Sequence, residues 1–184
     1  LRTLELDAKT GAVRLVENGA PSKAGVRWAF VRRAGEQENL QALEPLALPE
    51  GEGVTLVGVD LAPVLEAWGT QSGALVRRVQ SAALLVRGGG DSPDPVAVGK
   101  AGLAAEIRAL ADPTVQPIGT TLPVRVYVEG QSVAGATVQV RRPDGTIRNI
   151  EADREGIAHV PINAAGSWVL AFEQRVPGDG QMTV

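Results

Sequence analysis

The stretch LPVRVYV, residues 122–128, decides the fold class of this chain. Valine recurs there at every second position, which is the period of a half-buried β-strand. The segment Ala136–Val140 repeats the alternation, and Pro143-Asp144-Gly145 follows it as a tight turn. Thr146–Ile150 then returns as the partner strand. We therefore predict a β-hairpin in this part of the chain.

Further short apolar stretches lie on both sides of this hairpin, separated by many of the 22 glycines and 12 prolines. This spacing is typical of β-sandwiches. We predict an all-β protein of two β-sandwich-like units with one short helix. Besides the hairpin, the predicted strands are Arg2–Leu6, Val13–Val16, Gly25–Val31, Val54–Val59, Ile157–Ile162 and Ser167–Phe172.

Three segments depart from the strand pattern. Leu61–Trp68 places apolar residues at i, i+3, i+4 and i+7, which predicts the short helix, with Gly69 as its cap. Leu75–Val86 fits either a helix or a long strand. The run GGGDSPDP, residues 88–95, predicts a mobile connection rather than a phosphate-binding loop, because no Gly-Lys-Ser/Thr follows it. We place a domain boundary near Lys100, between units 1–100 and 101–184.

The composition excludes several classes of function. The formal charge is −3, which gives no strong electrostatic case for nucleic acid or anionic membrane as a partner. Cysteine is absent, histidine occurs once and aromatic residues make up 3%. A thiol nucleophile, a cysteine zinc site, a His-pair metal site and an aromatic stacking platform are thereby excluded. No apolar run reaches the roughly 20 residues that a transmembrane helix requires.

Enzymatic chemistry finds little support in the residues. No serine has a Gly-x-Ser-x-Gly setting, and His159 is the only histidine that could serve as a base. The three tryptophans are too scattered for a sugar cleft between paired carboxylates. Trp168 lies between Ser167 and Val169 in a predicted strand, and we expect its side chain to fill space in the core as a plug. We expect a protein that is not an enzyme.

Weak metal candidates are His159, Asp153 and Glu155, and they suggest at most a divalent metal ion as cofactor. Strand alternation predicts His159 on the solvent side of its strand, and we favour this over a metal ligand, because a transition-metal site needs several N or S donors. Asp153 and Glu155, with Asp144 on a neighbouring turn, carry oxygens of the kind that bind Ca²⁺, although no Asp-x-Asp-x-Asp loop is present.

Arginines in the segment before the glycine-rich run form a second candidate group. Arg77, Arg78 and Arg87 have the chemistry to bind an anion or the carboxylate of a partner. The alternative is a solvated face of a strand or helix, which we favour.

From about Leu75 onward, the chain resembles a bacterial periplasmic family of unknown function that is often described as the substrate-specific region of nickel or cobalt uptake. The resemblance covers roughly 110 residues. Its motifs are Val76-Arg77-Arg78-Val79 through Leu84–Gly89, Gly102-Leu103-Ala104-Ala105-Glu106-Ile107, Asp112-Pro113, Gly130–Val138, Asp153…Gly156 and Gly166-Ser167-Trp168. The last three also resemble an immunoglobulin- or transthyretin-like sandwich of the carboxypeptidase-regulatory type.

The resemblance implies a non-enzymatic binding or accessory module that is linked to uptake of nickel or cobalt, with a protein partner in the cell envelope. It also implies a periplasmic or secreted location. Because the chain begins at Leu1 rather than Met, we expect a signal peptide to have been removed. The alternative is a structural or protein-interaction domain without a small ligand.

Overall fold

The structure, a computed structural model, describes residues 2–7, 10, 12–18, 20–22, 25–40, 46–48, 50–67 and 74–181. Strands dominate these residues, and the predicted all-β class is confirmed. The elements are β1 (Arg2–Leu6), β2 (Ala12–Glu17), β3 (Ala20–Pro21), β4 (Val26–Arg33), β5 (Glu36–Leu40), β6 (Leu46–Ala47), β7 (Gly53–Leu61), β8 (Val64–Ala67), β9 (Ala74–Arg78), β10 (Ser81–Gly89), α1 (Pro95–Val98), β11 (Ala105–Ala109), a 3-10 turn (Pro113–Val115), β12 (Thr121–Val128), β13 (Gln131–Ser132), β14 (Thr137–Arg141), β15 (Ile147–Glu151), β16 (Ile157–Pro161), β17 (Val169–Ala171) and β18 (Arg175–Gln181).

The N-terminal part is built from two antiparallel sheets that pack face to face. One has the order β1-β2-β3 with β6 on β2, and the other has the order β10-β7-β4-β5. The first two predicted strands are confirmed as β1 and β2, which pair as an antiparallel hairpin, while Lys9 and Gly11 between them lie outside the described residues. Side chains from both sheets form one buried cluster: Leu4, Val13, Leu15, Ala29, Val57, Val59 and Leu61.

A third layer covers the outer face of the β10-β7-β4-β5 sheet. Residues 95–103, which we call the connector, pack four apolar side chains against fully buried Phe30 and its neighbours Val54 and Leu56. The four are Val96, Ala97, Ala101 and Leu103. The Phe30 ring lies over Gly58 of β7, its register partner. The domain boundary near Lys100 stays a prediction. Residues before and after Lys100 both contribute to this one buried cluster.

The C-terminal part is a second sandwich-like pair of sheets. In one sheet, β12 pairs with β11 on one side and with β13 and β16 on the other; the second sheet has the order β15-β14-β17. The predicted hairpin is confirmed as β14 and β15, and Gly145 adopts a φ of +84° in its turn. Both sheets contribute to one core: Ala109, Leu122, Val124, Val126, Ala136, Val138, Val140, Ala152, Ala158, Val160 and Ile162.

The helix predicted at Leu61–Trp68 is wrong. Leu61 is the last residue of β7, and the residues after Pro63 form β8, which pairs with β9 in a sheet of order β18-β9-β8. Leu65, which a helix would have buried, is 59% exposed. Strand pairing over a long sequence distance therefore overrides a helical pattern only two turns long. Trp68 and Gly69 lie outside the described residues.

The ambiguous segment Leu75–Val86 belongs to two strands, β9 and β10, which are separated by Val79 and Gln80. The expectation of a mobile connection at residues 88–95 is also corrected, because hydrogen bonds tie this loop down. Arg87 donates to the carbonyls of Gly90 and Ser92, and the Asp94 carboxylate accepts from Val54 N at 2.8 Å. Asp94 also caps α1, which is the only helix among the described residues and is far too short to cross a membrane.

Candidate functional site

A buried carboxylate, Asp112, ties the glycine-rich loop to the start of the C-terminal unit. It accepts hydrogen bonds from Arg87 Nη2 at 2.7 Å, from Asp94 N at 2.9 Å and from Thr114 N and Oγ1 at 2.8 and 2.6 Å. Burial raises the pKa of Asp112, but these hydrogen bonds and the Arg87 charge outweigh it, so the pKa lies below 3.8. The predicted solvated position of Arg87 is therefore wrong: its side chain is 15% exposed and holds a structural acid.

The other two predicted arginines are also paired within the chain. Arg78 Nη2 lies 3.1 Å from Glu66 Oε1 on the neighbouring strand β8. Arg77 forms an ion pair with Glu129, which lies in the turn after β12. Neither guanidinium is thus free to be the main contact of an external anion.

A cavity of about 280 Å³ lies where the two units meet, and Arg27, Asp60, Lys100, Glu106 and Tyr127 are among its lining residues. Two acidic side chains in its lining, Asp60 and Glu106, accept hydrogen bonds that stabilise the fold. Asp60 accepts from Ala104 N at 2.9 Å and from the Ser81 hydroxyl, and Glu106 accepts from the N–H groups of the connector residues 101 and 102.

Tyr127 is the aromatic wall of this junction cavity. Lys100 Nζ lies 4.4 Å from the centre of its ring, a cation–π contact. Burial raises the pKa of Tyr127, but hydrogen bonds from Arg125 and Arg108 outweigh it, so the pKa falls below 10.0. The junction is therefore held together by polar and charged contacts.

The predicted metal candidate His159 lies on β16 with its side chain exposed, while its neighbours Ala158 and Val160 are buried. The predicted solvent-side position is confirmed. Strand alternation produces it, because side chains at successive positions point to opposite faces of the sheet.

The two acidic candidates mainly shape a turn. Asp153 Oδ1 accepts from Glu155 N at 2.8 Å and from Ile157 N at 2.9 Å, which, with the nearby positive charges, lowers the pKa of Asp153 despite some loss of solvation. The Glu155 carboxylate is exposed and lies 3.5 Å from Arg125 Nη2. Asp144 similarly accepts from Thr146 in its own turn. Within the described part of the chain, no three His, Asp or Glu side chains gather as a metal-binding group.

A surface groove of about 230 Å³ lies at one end of the C-terminal unit, where β14 ends, β15 begins and β16 ends. Its polar lining consists of two guanidiniums, one imidazole and one amide, with an indole and apolar side chains beside them. The lining residues are Val140, Arg142, Arg148, Asn149, Ile150, His159, Val160, Pro161 and Trp168. We call this the cationic groove. Among the residues that the structure describes, none that lines the groove carries a carboxylate.

The local fold explains why Arg148 reaches this groove. It is the register partner of buried Val140 and shares a face with Ile150, so it occupies a core-facing position of β15. Because β15 pairs only with β14, that position lies at an open sheet edge, where a long side chain can extend its charge to solvent. Trp168, half-buried against the C-terminal core as predicted for a plug, lines the groove with its indole.

Among the described residues, no hydrogen bond or ion pair joins the side chains of Arg142, Arg148 or His159 to another group. Acids act on them only at longer range. The Arg142 charge contributes to the lowered pKa of Asp144, after the hydrogen bonds from Thr146. Guanidiniums that lack an ion-pair partner favour the binding of an anion.

Neither groove arginine was identified from the sequence, where each resembles an ordinary surface charge beside a turn. A signal was nevertheless present. Ile150 and Arg148 have the same strand parity, so a predicted inward Ile150 implies an inward charge two residues before it. An inward charge on a strand indicates an open edge.

Comparison with known proteins gives one match. No curated protein and no solved structure matches this chain. A family model described as a domain of unknown function, DUF4198, matches residues 5–176, which is nearly the whole chain. The chain therefore belongs to the DUF4198 domain family.

Proposed function

We propose that this protein is a non-enzymatic binding module of the cell envelope, periplasmic or secreted, whose cationic groove takes an anionic group of its ligand or partner. One observation carries the proposal: Arg142 and Arg148 line the same groove, and no described residue in its lining carries a carboxylate. A guanidinium presents a planar fork of donors that matches a carboxylate or phosphate, so two of them on one groove suit an oxyanion.

The use of the buried acids supports a binding role over catalysis. Asp112 and Glu106 each accept two or more N–H groups of loop backbone. A carboxylate held in this way stabilises a loop and is poorly placed to exchange protons with a substrate.

A link to nickel or cobalt uptake is the finer version of the proposal, and the resemblance to the periplasmic uptake family supports it. His159, Asp153 and Glu155 would be its candidate donors. The guanidiniums beside His159 repel a bare divalent cation and attract an anion. The groove therefore suits a metal that arrives in an anionic carboxylate complex better than the free ion.

Thermal unfolding with added ligands tests both versions. The ligands are citrate, phosphate, the nickel–citrate complex and the ions Ni²⁺, Co²⁺, Cu²⁺, Zn²⁺ and Ca²⁺. The proteins are the wild type, the double variant Arg142→Ala/Arg148→Ala and the control Arg141→Ala, which removes an exposed charge next to the groove but outside its lining.

Citrate or phosphate should raise the Tm of the wild type and of Arg141→Ala, but not of the double variant. A ligand at about 100 times its Kd adds about 2.7 kcal/mol, which corresponds to roughly 5–11 °C for a chain of this size. Multivalent anions also stabilise proteins by exclusion from the surface. An equal rise in all three proteins would therefore contradict the proposal. A rise with a metal ion that His159→Ala abolishes would support the metal version, and a flat response to every ion and to nickel–citrate would reject it.

The alternative, an interaction domain without a small ligand, is favoured by edge strands such as β5 and β15, each of which pairs on one side only among the described residues. Such edges bind other chains by strand addition. This alternative predicts that none of the small anions stabilises the wild type through the groove.

A further inference from the structure

Two open sheet edges of this protein carry opposite charges. Among the residues that the structure describes, β5 pairs only with β4 and forms an edge of the N-terminal unit, while β15 pairs only with β14 and forms an edge of the C-terminal unit. Each strand is five residues long. Each also has charged side chains in its core-facing row, where apolar residues are the rule.

The core-facing row of β5 is acidic. Its register pairs are Ala29 with Leu40, Val31 with Glu38 and Arg33 with Glu36. Ala29 belongs to the N-terminal core cluster, and Val31 and Leu40 pack against it. The Arg33 guanidinium donates to the backbone carbonyls of Glu50 and Glu52. Glu38 and Glu36 therefore continue the row that Leu40 begins. Both glutamates are exposed, and neither has a hydrogen bond or ion pair within the described ranges.

The core-facing row of β15 is basic at the corresponding edge. Arg148 occupies it beside Ile150, and Arg142 lies next to it in the cationic groove. Inward charges at an edge oppose the addition of another strand. Two β5 edges would bring four glutamates together and two β15 edges would bring arginines together, whereas β5 against β15 brings opposite charges together.

We propose that the β5 edge of one copy of this chain docks on the β15 edge and cationic groove of a second copy. Glu36 and Glu38 are then the anionic groups that Arg142 and Arg148 bind. The two glutamates lie on one face about 6.6–7 Å apart. This inference rests on the proposed function, because it names the partner of the same groove.

The contact joins two different surfaces, so it is head-to-tail. Each copy that donates its β5 still has a free β15, and the assembly grows into a ring or an open series rather than stopping as a symmetric dimer. Attraction between the edges is electrostatic and should weaken as salt shortens the Debye length from about 10 Å at 0.1 M to about 3 Å at 1 M.

Sedimentation velocity over a range of protein concentrations tests the contact. The wild type should gain mass with concentration at low salt and lose it at high salt. Glu36→Lys/Glu38→Lys and Arg142→Glu/Arg148→Glu should each weaken self-association by about a hundredfold, because each brings like charges together. An equimolar mixture of the two variants should associate again, since the reversed edges complement each other.

The control variant Asp91→Lys/Arg141→Glu changes exposed charges outside both edges and should associate as the wild type does. Glu36, Glu38 and Arg148 are exposed and Arg142 is half-buried, so we expect each variant to fold, and far-UV circular dichroism checks this. A wild type that stays monomeric throughout, edge variants that associate like the wild type, or a mixture that stays monomeric would each overturn the proposal. If the wild type also binds citrate through the groove, the proposed function survives and only the second copy is rejected.

Discussion

The close contact of Phe30 with Gly58 allows a quantitative prediction about the N-terminal core. A Cβ atom placed on Gly58 would lie 2.4 Å from Cε1 and 2.5 Å from Cζ of the Phe30 ring. The ring is fully buried between its sheet and the connector, with Val96 and Leu103 in the same cluster. It cannot move aside without disturbing them, so Gly58→Ala forces overpacking.

Overpacking of this kind costs about 1–3 kcal/mol. For a chain of this size each kcal/mol corresponds to about 2–4 °C, so the Tm of Gly58→Ala should fall by roughly 2–12 °C. Urea unfolding followed by circular dichroism should show a lower midpoint with an unchanged m-value. Gly89→Ala is the matched control, because a Cβ there meets Glu52 Cγ at an ordinary 3.6 Å, and its stability should hold or rise slightly.

A second variant identifies the ring as the cause. Phe30→Leu, which shortens the side chain above Gly58, should reduce the cost of Gly58→Ala in a double-mutant cycle. The reasoning is refuted if Gly58→Ala is as stable as the wild type, or if its cost is the same with leucine at position 30.

Two further predictions concern the buried acids. The folded pKa of Asp112 lies below its ordinary value, so its contribution to stability is present above about pH 3.9 and is lost as the pH falls through the folded pKa. Asp112→Asn should therefore be less stable than the wild type at neutral pH, and the urea midpoints of the two proteins should converge on acidification. A difference between the midpoints that stays constant with pH would contradict this. Glu106→Gln replaces a carboxylate that accepts two N–H groups by an amide with one acceptor oxygen. The free energy of unfolding in urea should fall by about 1–3 kcal/mol. An unchanged midpoint would show that the connector does not depend on the Glu106 carboxylate.

The C-terminal strands were predictable because each contains its own signal. In β12 and β14, valines at alternate positions face one core, and a glycine-containing turn separates β14 from β15. The helix predicted at Leu61–Trp68 was wrong for the opposite reason, because the signal for this segment is not local. Its pairing with β9 joins residues that lie 8 to 14 positions apart in the sequence, and a local helical period does not indicate such a pairing.

The candidate site was predictable only in part. Alternation placed His159 correctly on the solvent side, but the groove that contains it is completed by Arg142 and Arg148 on the hairpin before it. Bringing these side chains together requires the two sheets to pack, because β15 and β16 belong to different sheets. Similarly, Arg87 was taken for a surface charge because its acid, Asp112, lies 25 positions further along the chain.

The connector has a consequence for the order in which this chain acquires its structure. Since domains generally fold as units during synthesis, the N-terminal unit would be expected to fold as soon as β10 has been made. Its outer layer, however, is supplied by residues 95–103, and until Leu103 has left the ribosome Phe30 has no cover on that side. The last step of N-terminal folding therefore coincides with the appearance of β11, the first strand of the next unit.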